Sequence, residues 1–227
     1  MTLKITPHYQ ERLDQVEKRL DEVYGIPDWH EFLPPVDELV CTILSQNTND
    51  INRDKAFDKL KQTFPSWEAV RDAQPEAVIE AIRVAGLANQ KGPNIQAALR
   101  FITQERGEID LDWLKTRDFD EVMDWLTQMK GVGLKTASIV MVFSLDIPAF
   151  PVDTHIYRVT GRLGLRPEKM TIDQAHRWFA SSHRPQSFGP LHLNIISLGR
   201  DYCQARKPKC GSCPVEDICE FPDKVFD

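Results

Sequence analysis

Four of the five cysteines lie close together in the last quarter of the chain. Cys203, Cys210, Cys213 and Cys219 are spaced C-x6-C-x2-C-x5-C. In a protein without a secretory signal, clustered thiols favour metal ligation over disulfides. Four thiolates can hold a tetrahedral Zn²⁺ ion or an iron–sulfur cluster, and the spacing alone leaves both open. The fifth, Cys41, lies in the apolar stretch LVCTIL and is predicted to be a small core residue.

A glycine-containing turn is the second feature that could do chemistry. Residues 118–145 predict two helices joined by a turn that contains Gly131 and Gly133. Two glycines spaced by one residue permit positive φ and close backbone approach. The unpaired amides at the start of the second helix can hold an anion such as a phosphate, although an ordinary helix–helix turn fits the same pattern. On the first turn of that helix, peptide dipoles disfavour the charged form of Lys135, and a neutral lysine amine can attack a sugar carbon.

An aspartate follows eighteen residues after that lysine. Asp153 directly precedes the helical pattern of residues 154–163, which contains most of the apolar-periodic segment IYRVTGRLGL, and is therefore predicted to be a helix N-cap. A capping carboxylate is held rigidly and stays ionised. The capping role is therefore compatible with a catalytic one.

Charge is distributed unevenly along the 227 residues. The formal net charge is −6, which argues against a nucleic-acid partner only if the charge is evenly spread. One short segment carries Arg200, Arg206, Lys207 and Lys209 against a single acid, Asp201. This segment is either solvated surface or a local patch that binds phosphate.

Helical periodicity dominates the chain, and no run shows convincing strand alternation. We therefore predict an all-α fold with about ten helices. The first residues lack the apolar segment of a secretory signal, and no apolar run approaches the ~20 residues of a membrane helix. A cytoplasmic protein without a membrane partner is expected. The helical patterns cover residues 8–24, 35–46, 50–62, 66–72, 75–84, 91–106, 118–128, 133–145, 154–163, 171–180 and 188–202.

Taken together, MKGVGLKTASIV and FPVDTHIYRV resemble the helix-hairpin-helix and aspartate motifs of the endonuclease III family of DNA glycosylases. The likeness runs from about residue 30 to about residue 220, and the cysteine spacing is similar to the family's [4Fe–4S] motif. The resemblance implies that Lys135 is the Schiff-base nucleophile and that Asp153 is the catalytic carboxylate. It also implies four cluster ligands, Cys203, Cys210, Cys213 and Cys219.

Further residues are implied to contact DNA. Leu87, in GLANQK, is similar to the leucine that the family wedges into the strand opposite the lesion, although a buried leucine fits equally well. Asn47 stands at the family's intercalating glutamine, and the adjacent Gln46 is an alternative. Lys130 and Leu134 replace the family's proline and arginine, which leaves the preferred damaged base open. The resemblance also assigns DNA backbone contacts to Gly131, Gly133, Arg206, Lys207 and Lys209.

The fold implied by the resemblance has two all-α lobes that flank a DNA-binding groove. A helical barrel over residues 28–147 includes the helix-hairpin-helix at 118–145, and residues 1–27 with 148–227 form the cluster lobe. The implied enzyme is a monomeric DNA glycosylase and abasic-site lyase, associated with the nucleoid in a prokaryotic source. It excises damaged, in the first place oxidised, pyrimidines from double-stranded DNA and cleaves the abasic site by β-elimination.

Two alternatives stay open at this point. One is a glycosylase of the same superfamily that acts on mismatched thymine, uracil or 5-methylcytosine, since the plant methylcytosine glycosylases share G-x-G-L-K and AFPVDT with this chain. The other is a non-enzymatic iron–sulfur or zinc protein that binds DNA.

Overall fold

The computed structural model describes residues 6–28, 33–181 and 187–226. All regular elements among these residues are helical, so the prediction of an all-α fold is confirmed. None of the described helices is both long and apolar enough to cross a membrane. The α-helices are α1 (Pro7–Tyr24), α2 (Pro35–Ser45), α3 (Asp50–Thr63), α4 (Trp67–Asp72), α5 (Pro75–Ala81), α6 (Ala88–Arg106), α7 (Phe119–Leu126), α8 (Leu134–Ser144), α9 (Thr154–Arg162), α10 (Ile172–Ala180) and α11 (Phe188–Asp201). Short 3₁₀ turns lie at Arg83–Ala85, Asp112–Thr116, Cys210–Ser212 and Glu216–Ile218.

Contacts divide the chain into two compact units. The hairpin unit comprises residues 32–147, and the cysteine unit comprises residues 1–31 together with 148–227. The cysteine unit is therefore built from both ends of the chain, with the hairpin unit as an insertion between them.

Two nearly apolar helices form the centre of the hairpin unit. Helix α2 buries most of its length, and α8 buries residues on several of its faces. The two helices pack against each other, and α3 and α6 also pack against α2. A helix that is apolar around its circumference must be enclosed by others, which explains why α8, the second helix of the hairpin, is held firmly in place.

Helix α6 begins earlier than the sequence pattern indicates. The pattern predicts residues 91–106, whereas the helix starts at Ala88, after Leu87 in a left-handed conformation, and runs through Pro93. Proline removes one helical hydrogen bond, to the carbonyl of Asn89. Because Asn89 is exposed, that carbonyl can bind water instead, and the helix continues.

The cysteine unit has an aromatic core. The Phe150 ring lies 4.7 Å from that of Phe179 and 5.7 Å from that of Phe188. Phe150 precedes α9, whereas its two partners belong to α10 and α11, so this cluster joins the three helices. Helix α11 in turn packs against both α9 and α1.

Two arginines fasten the N-terminal helix to the cysteine segment. The guanidinium of Arg12 donates to the carbonyls of Leu163 at 2.6 Å and Ile218 at 2.7 Å. Arg19 donates to the carbonyl of Pro214 at 3.0 Å. Since Ile218 and Pro214 lie between or beside cysteines, α1 helps to fix the path of this segment.

The two glycines of the hairpin turn differ in their backbone. Gly131 has φ +84°, and a Cβ built there would lie 2.5 Å from Nδ2 of Asn94. Gly133 is extended, with φ −99°, and a Cβ there would meet nothing within 4 Å. The expectation of positive φ therefore holds for Gly131 and is wrong for Gly133, which caps α8 from an ordinary extended conformation.

Replacing these glycines separates the two cases. Gly131→Ala is expected to lower the free energy of unfolding by about 2 kcal/mol, because positive φ disfavours any residue with a Cβ and Asn94 must also move. Gly133→Ala, the matched control, is expected to lower it by only about 0.5–1 kcal/mol, because alanine is a poorer N-cap than glycine but meets neither positive φ nor a neighbouring atom. Urea denaturation of both variants measures the difference, and equal stabilities would contradict the structure of the turn.

Candidate active site and cysteine cluster

The hairpin turn places an exposed lysine at the start of a buried helix. Lys135 is the second residue of α8, and its side chain is exposed while the next three residues are buried. Gly133 provides no side-chain cap, so the first amides of α8 are not satisfied by a capping side chain. The cation of Lys135 and the N-terminal amides of α8 thus occur together at one exposed turn. Such an arrangement can bind an anion such as the phosphate of a nucleic-acid backbone.

The predicted N-cap of α9 is confirmed. Oδ1 of Asp153 accepts a hydrogen bond from the backbone amide of Ile156 at 2.8 Å. The side chain is half-buried, and the cap fixes it at the positive end of the helix dipole. The carboxylate is therefore held in one orientation.

Two buried histidines hold the backbone immediately before this aspartate. Nδ1 of His176, on α10, accepts from the amide of Val152 at 3.3 Å. Nδ1 of His192, on α11, donates to the carbonyl of Pro151 at 3.0 Å. His192 is therefore a structural hydrogen-bonding residue. Sequence reasoning misses His176, because nothing in its local sequence indicates a partner 24 residues away.

The four clustered cysteines all line one cavity. Their side chains are half-buried, and no three His, Cys, Asp or Glu side chains in the described ranges are grouped tightly enough to hold a single metal ion. The four residues together line the wall of the cavity, and a set of four thiols fits an iron–sulfur cluster. Leu163, Leu198, Val215 and Phe221 contribute apolar surface to the same cavity.

The cavity raises the energy of ionised thiols. Burial, together with the nearby cysteines, raises the pKa of Cys213 to about 11, and burial also raises the pKa of Cys219. Iron is ligated by thiolates, so binding of an iron–sulfur cluster would release the thiol protons. The positive charge of the iron would then stabilise the thiolates in place of the water that burial removes. The donor set and the enclosed, largely apolar site fit an iron–sulfur cluster.

Helix α9 supplies the polar contacts to these sulfurs. Nη1 of Arg162 lies 3.4 Å from Sγ of Cys203 and donates to the carbonyl of Gln204 at 2.7 Å. Sγ of Cys219 lies 3.4 Å from the Arg162 carbonyl. One turn earlier, Arg158 donates to the carbonyl of Cys203 at 3.0 Å. The helix capped by the candidate catalytic aspartate thus also positions the cysteine segment.

A basic loop lies between the first two cysteines. Arg206, Lys207 and Lys209 are all exposed, and Lys207 has φ +50°. The amide of Lys209 donates to the carbonyl of Tyr202 at 2.9 Å, which closes the loop. The three cations therefore project from a closed loop.

The other predicted DNA contacts lie in the hairpin unit. Nε2 of Gln46 donates to the Gly131 carbonyl at 3.0 Å and lies 3.4 Å from Oγ1 of Thr136, so this side chain supports the hairpin turn. Asn47 is exposed at φ +52°. Leu87 is also left-handed and is 52% exposed, so its interpretation as a buried core leucine is wrong. Asn47 and Leu87 are each the exposed tip of a turn.

Two regions of the chain match known families. Residues 40–182 match the HhH-GPD superfamily of base excision DNA repair proteins. Residues 203–219 match the iron–sulfur binding domain of endonuclease III. The second match includes all four clustered cysteines, and the prediction of a [4Fe–4S] cofactor is confirmed.

Similarity extends over most of the chain. Endonuclease III of Sulfolobus acidocaldarius is 35% identical over 185 residues, covering 81% of this chain and 80% of that protein. Endonuclease III of Escherichia coli K12 is 33% identical over 195 residues, covering 86% and 87%. A solved non-covalent endonuclease III–DNA complex superposes with a TM-score of 0.76 at 25% identity, covering 92% of this chain and 94% of that one. The chain therefore belongs to the HhH-GPD superfamily and, within it, to the endonuclease III family of DNA glycosylases and abasic-site lyases that carry a [4Fe–4S] cluster.

Proposed function

We propose that this chain removes an oxidised pyrimidine from double-stranded DNA and cleaves the resulting abasic strand, with Lys135 as nucleophile and Asp153 as the catalytic carboxylate. The observation that carries the proposal is the exposed Lys135 on the first turn of α8, directly after the glycine turn. The chain acts as a monomer, because a single copy carries both residues and the cysteine cluster. Similarity to a solved endonuclease III–DNA complex supports duplex DNA as the partner.

Each reacting group has a defined task. The Lys135 amine attacks C1′ of the extruded nucleotide, and the damaged base leaves with its bonding electrons and takes up a proton. The C1′ adduct opens to a Schiff base, which loses a C2′ proton and expels the 3′ phosphate by β-elimination. The carboxylate of Asp153 stabilises positive charge that develops on the sugar and helps to remove the proton from the lysine ammonium.

Binding relies on groups that contact phosphate. Gly133 leaves open space in front of the first amides of α8, so a phosphate oxygen can approach them closely. Arg206, Lys207 and Lys209 supply charge from the basic loop. Such contacts position the duplex and are independent of its sequence.

The ligands of the cluster are Cys203, Cys210, Cys213 and Cys219, which line one cavity. When bound, the cluster has a structural role, cross-linking the segment that carries the basic loop. Arg162 contributes by donating to the sulfur of the first cysteine and to the following carbonyl.

A second substrate class differs in the base that is excised. Lys130 and Leu134 flank the glycine turn where the resembled motif has proline and arginine, and the plant methylcytosine glycosylases share the G-x-G-L-K pattern. Mismatched thymine, uracil and 5-methylcytosine are therefore the competing substrates. Excision assays on duplexes with thymine glycol, dihydrouracil, uracil, a G:T mismatch or 5-methylcytosine decide between the two classes.

Protein purified without oxygen is expected to be yellow-brown and to contain about four iron atoms per chain. Cys210→Ser is expected to lose the colour, the iron and most of the soluble protein, because one missing ligand opens the cluster. Cys41→Ala is the matched control, since Cys41 is buried in the hairpin unit and lines no part of this cavity. Stoichiometric zinc without iron would contradict the assignment.

The double variant Arg206→Ala/Lys209→Ala is expected to bind every duplex more weakly. The plot of log affinity against log salt concentration should become shallower by about 0.9 for each phosphate that the protein no longer neutralises. Titration of a labelled duplex at several salt concentrations measures both effects.

The control for this variant removes the same charge elsewhere. Lys18 lies beside Asp14 and Glu17 on α1, and Lys115 pairs with Asp112. The double variant Lys18→Ala/Lys115→Ala should keep the wild-type salt slope. An equal loss of affinity in both double variants would mean that only net charge matters.

The catalytic assignment predicts two separable defects. Lys135→Gln should abolish borohydride trapping on an abasic duplex while binding is largely retained, because phosphate contacts do not need this amine. Asp153→Asn should keep its stability within about 0.5 kcal/mol, since Asn caps helices about as well as Asp. Its excision rate should fall by about 10²–10³ through the lost negative charge.

Lys130→Gln is the control for the trapping experiment, because Lys130 is exposed in the same turn. This variant should trap like the wild type. Trapping by Lys135→Gln, or normal excision by a folded Asp153→Asn, would refute the corresponding role.

A further inference from the structure

Helix α6 contains a fully buried lysine for which the proposed mechanism has no use. The Lys91 side chain is 1% exposed, and its Nζ donates to the carbonyls of Leu44 at 2.7 Å and Ala85 at 2.8 Å. No carboxylate in the described ranges forms an ion pair with it. Burial lowers the pKa of this ammonium. Burying a cation costs free energy that an apolar side chain of similar size would not, so the two hydrogen bonds of Lys91 indicate a specific role.

Both acceptors lie at the ends of helical segments. The Leu44 carbonyl belongs to the last turn of α2, and the Ala85 carbonyl ends the 3₁₀ turn at residues 83–85. Carbonyls at such ends lack helical donors and carry partial negative charge. One ammonium therefore joins the ends of two segments, at residues 44 and 85, which are 41 residues apart in sequence.

The two turns that follow these carbonyls have the same unusual backbone. Asn47 comes three residues after Leu44 and has φ +52°, whereas Leu87 comes two residues after Ala85 and has φ +49°. Both are exposed at the tips of their turns. A left-handed leucine is strained, and such a residue persists only where its surroundings fix it.

The same region of α6 also contacts the hairpin turn. Asn94 follows Lys91 by three residues and therefore lies on the same side of the helix. Its Nδ2 lies 2.5 Å from the position that a Cβ on Gly131 would take, and the Gly131 carbonyl accepts from Gln46 in the turn after α2. The Asn47 turn, the Leu87 turn and the glycine turn thus share one support.

We propose that Lys91 is a positioning residue for base extrusion. Its ammonium sets the spacing between the Asn47 turn and the Leu87 turn, so that both side chains meet the duplex together. The inference rests on the proposed function and on the family resemblance, which implies that Leu87 wedges into the strand opposite the lesion and that Asn47 stands at the intercalating position.

The test compares two substrates of the same enzyme. Lys91→Met keeps the length of the side chain and removes both hydrogen bonds. Its single-turnover excision on a duplex with a paired dihydrouracil should fall by about tenfold or more, because extrusion then opposes an intact stack. Borohydride trapping on a preformed abasic duplex should change by less than about threefold, because no base has to be unpaired there.

Leu99→Ala is the matched control. Leu99 is buried on the same helix, two turns further on, and its loss lowers stability without touching either turn. It should reduce the two rates by a common factor. If Lys91→Met also reduces excision and trapping by the same factor, the proposal is overturned, since general destabilisation would then account for the effect.

A double-mutant cycle separates this inference from the proposed function. Leu87→Ala should itself slow excision on the paired lesion, and adding Lys91→Met should slow it little further because both changes disable one device. If Leu87→Ala slows excision and the two effects multiply, the positioning role of Lys91 is refuted and the wedge role of Leu87 stands. If Leu87→Ala excises at the wild-type rate, the wedge role itself is refuted. Should Lys91→Met not fold, Lys91→Gln keeps a donor for one carbonyl and permits the same comparison.

Discussion

The hydrogen bond from the Ile156 amide to Asp153 determines where α9 begins, and the rest of that helix follows from it. Because side chains four residues apart lie on one face of a helix, Arg158 and Arg162 project together toward the cysteine segment. Their guanidinium groups bind carbonyl oxygens of that segment, and one of them reaches the sulfur of Cys203. A shift in the first turn of α9 would therefore displace both the carboxylate and the groups that hold the cysteines.

Asp153 and the glycine turn are both supported by polar contacts to the backbone next to them. Behind Asp153, His176 and His192 occupy the amide and carbonyl of the two preceding residues. Behind the glycine turn, Gln46 occupies the Gly131 carbonyl. Buried polar groups that are satisfied cost little, whereas breaking one leaves its partner unpaired. Such contacts give each site a single geometry, which apolar packing alone would enforce less strictly.

The sequence predicts what short-range physics controls. Prolines, glycines and apolar spacing locate the helices to within a few residues, and a carboxylate before an apolar-periodic segment identifies the cap at Asp153. Long-range contacts escape this reasoning. Lys91 bonds a carbonyl 47 residues away, and the partner of His176 is 24 residues away. The extended backbone of Gly133 could not be predicted either. In the sequence, a glycine that leaves room for a bound group looks the same as one that the turn needs for its positive φ.

The discontinuous cysteine unit imposes an order on biosynthesis. Residues 32–147 are contiguous and emerge from the ribosome before the second part of the cysteine unit. They form a compact unit and can fold while residues 148–227 are still being synthesised. Helix α1 emerges before the hairpin unit, yet the carbonyls that Arg12 and Arg19 require belong to residues 163, 214 and 218. These two arginines therefore lack their partners until residue 218 has been synthesised. Iron and sulfide can consequently be bound by all four cysteines only after residue 219 has emerged, and a nascent chain stalled before the cysteines would present an unpartnered amphipathic helix to chaperones and proteases.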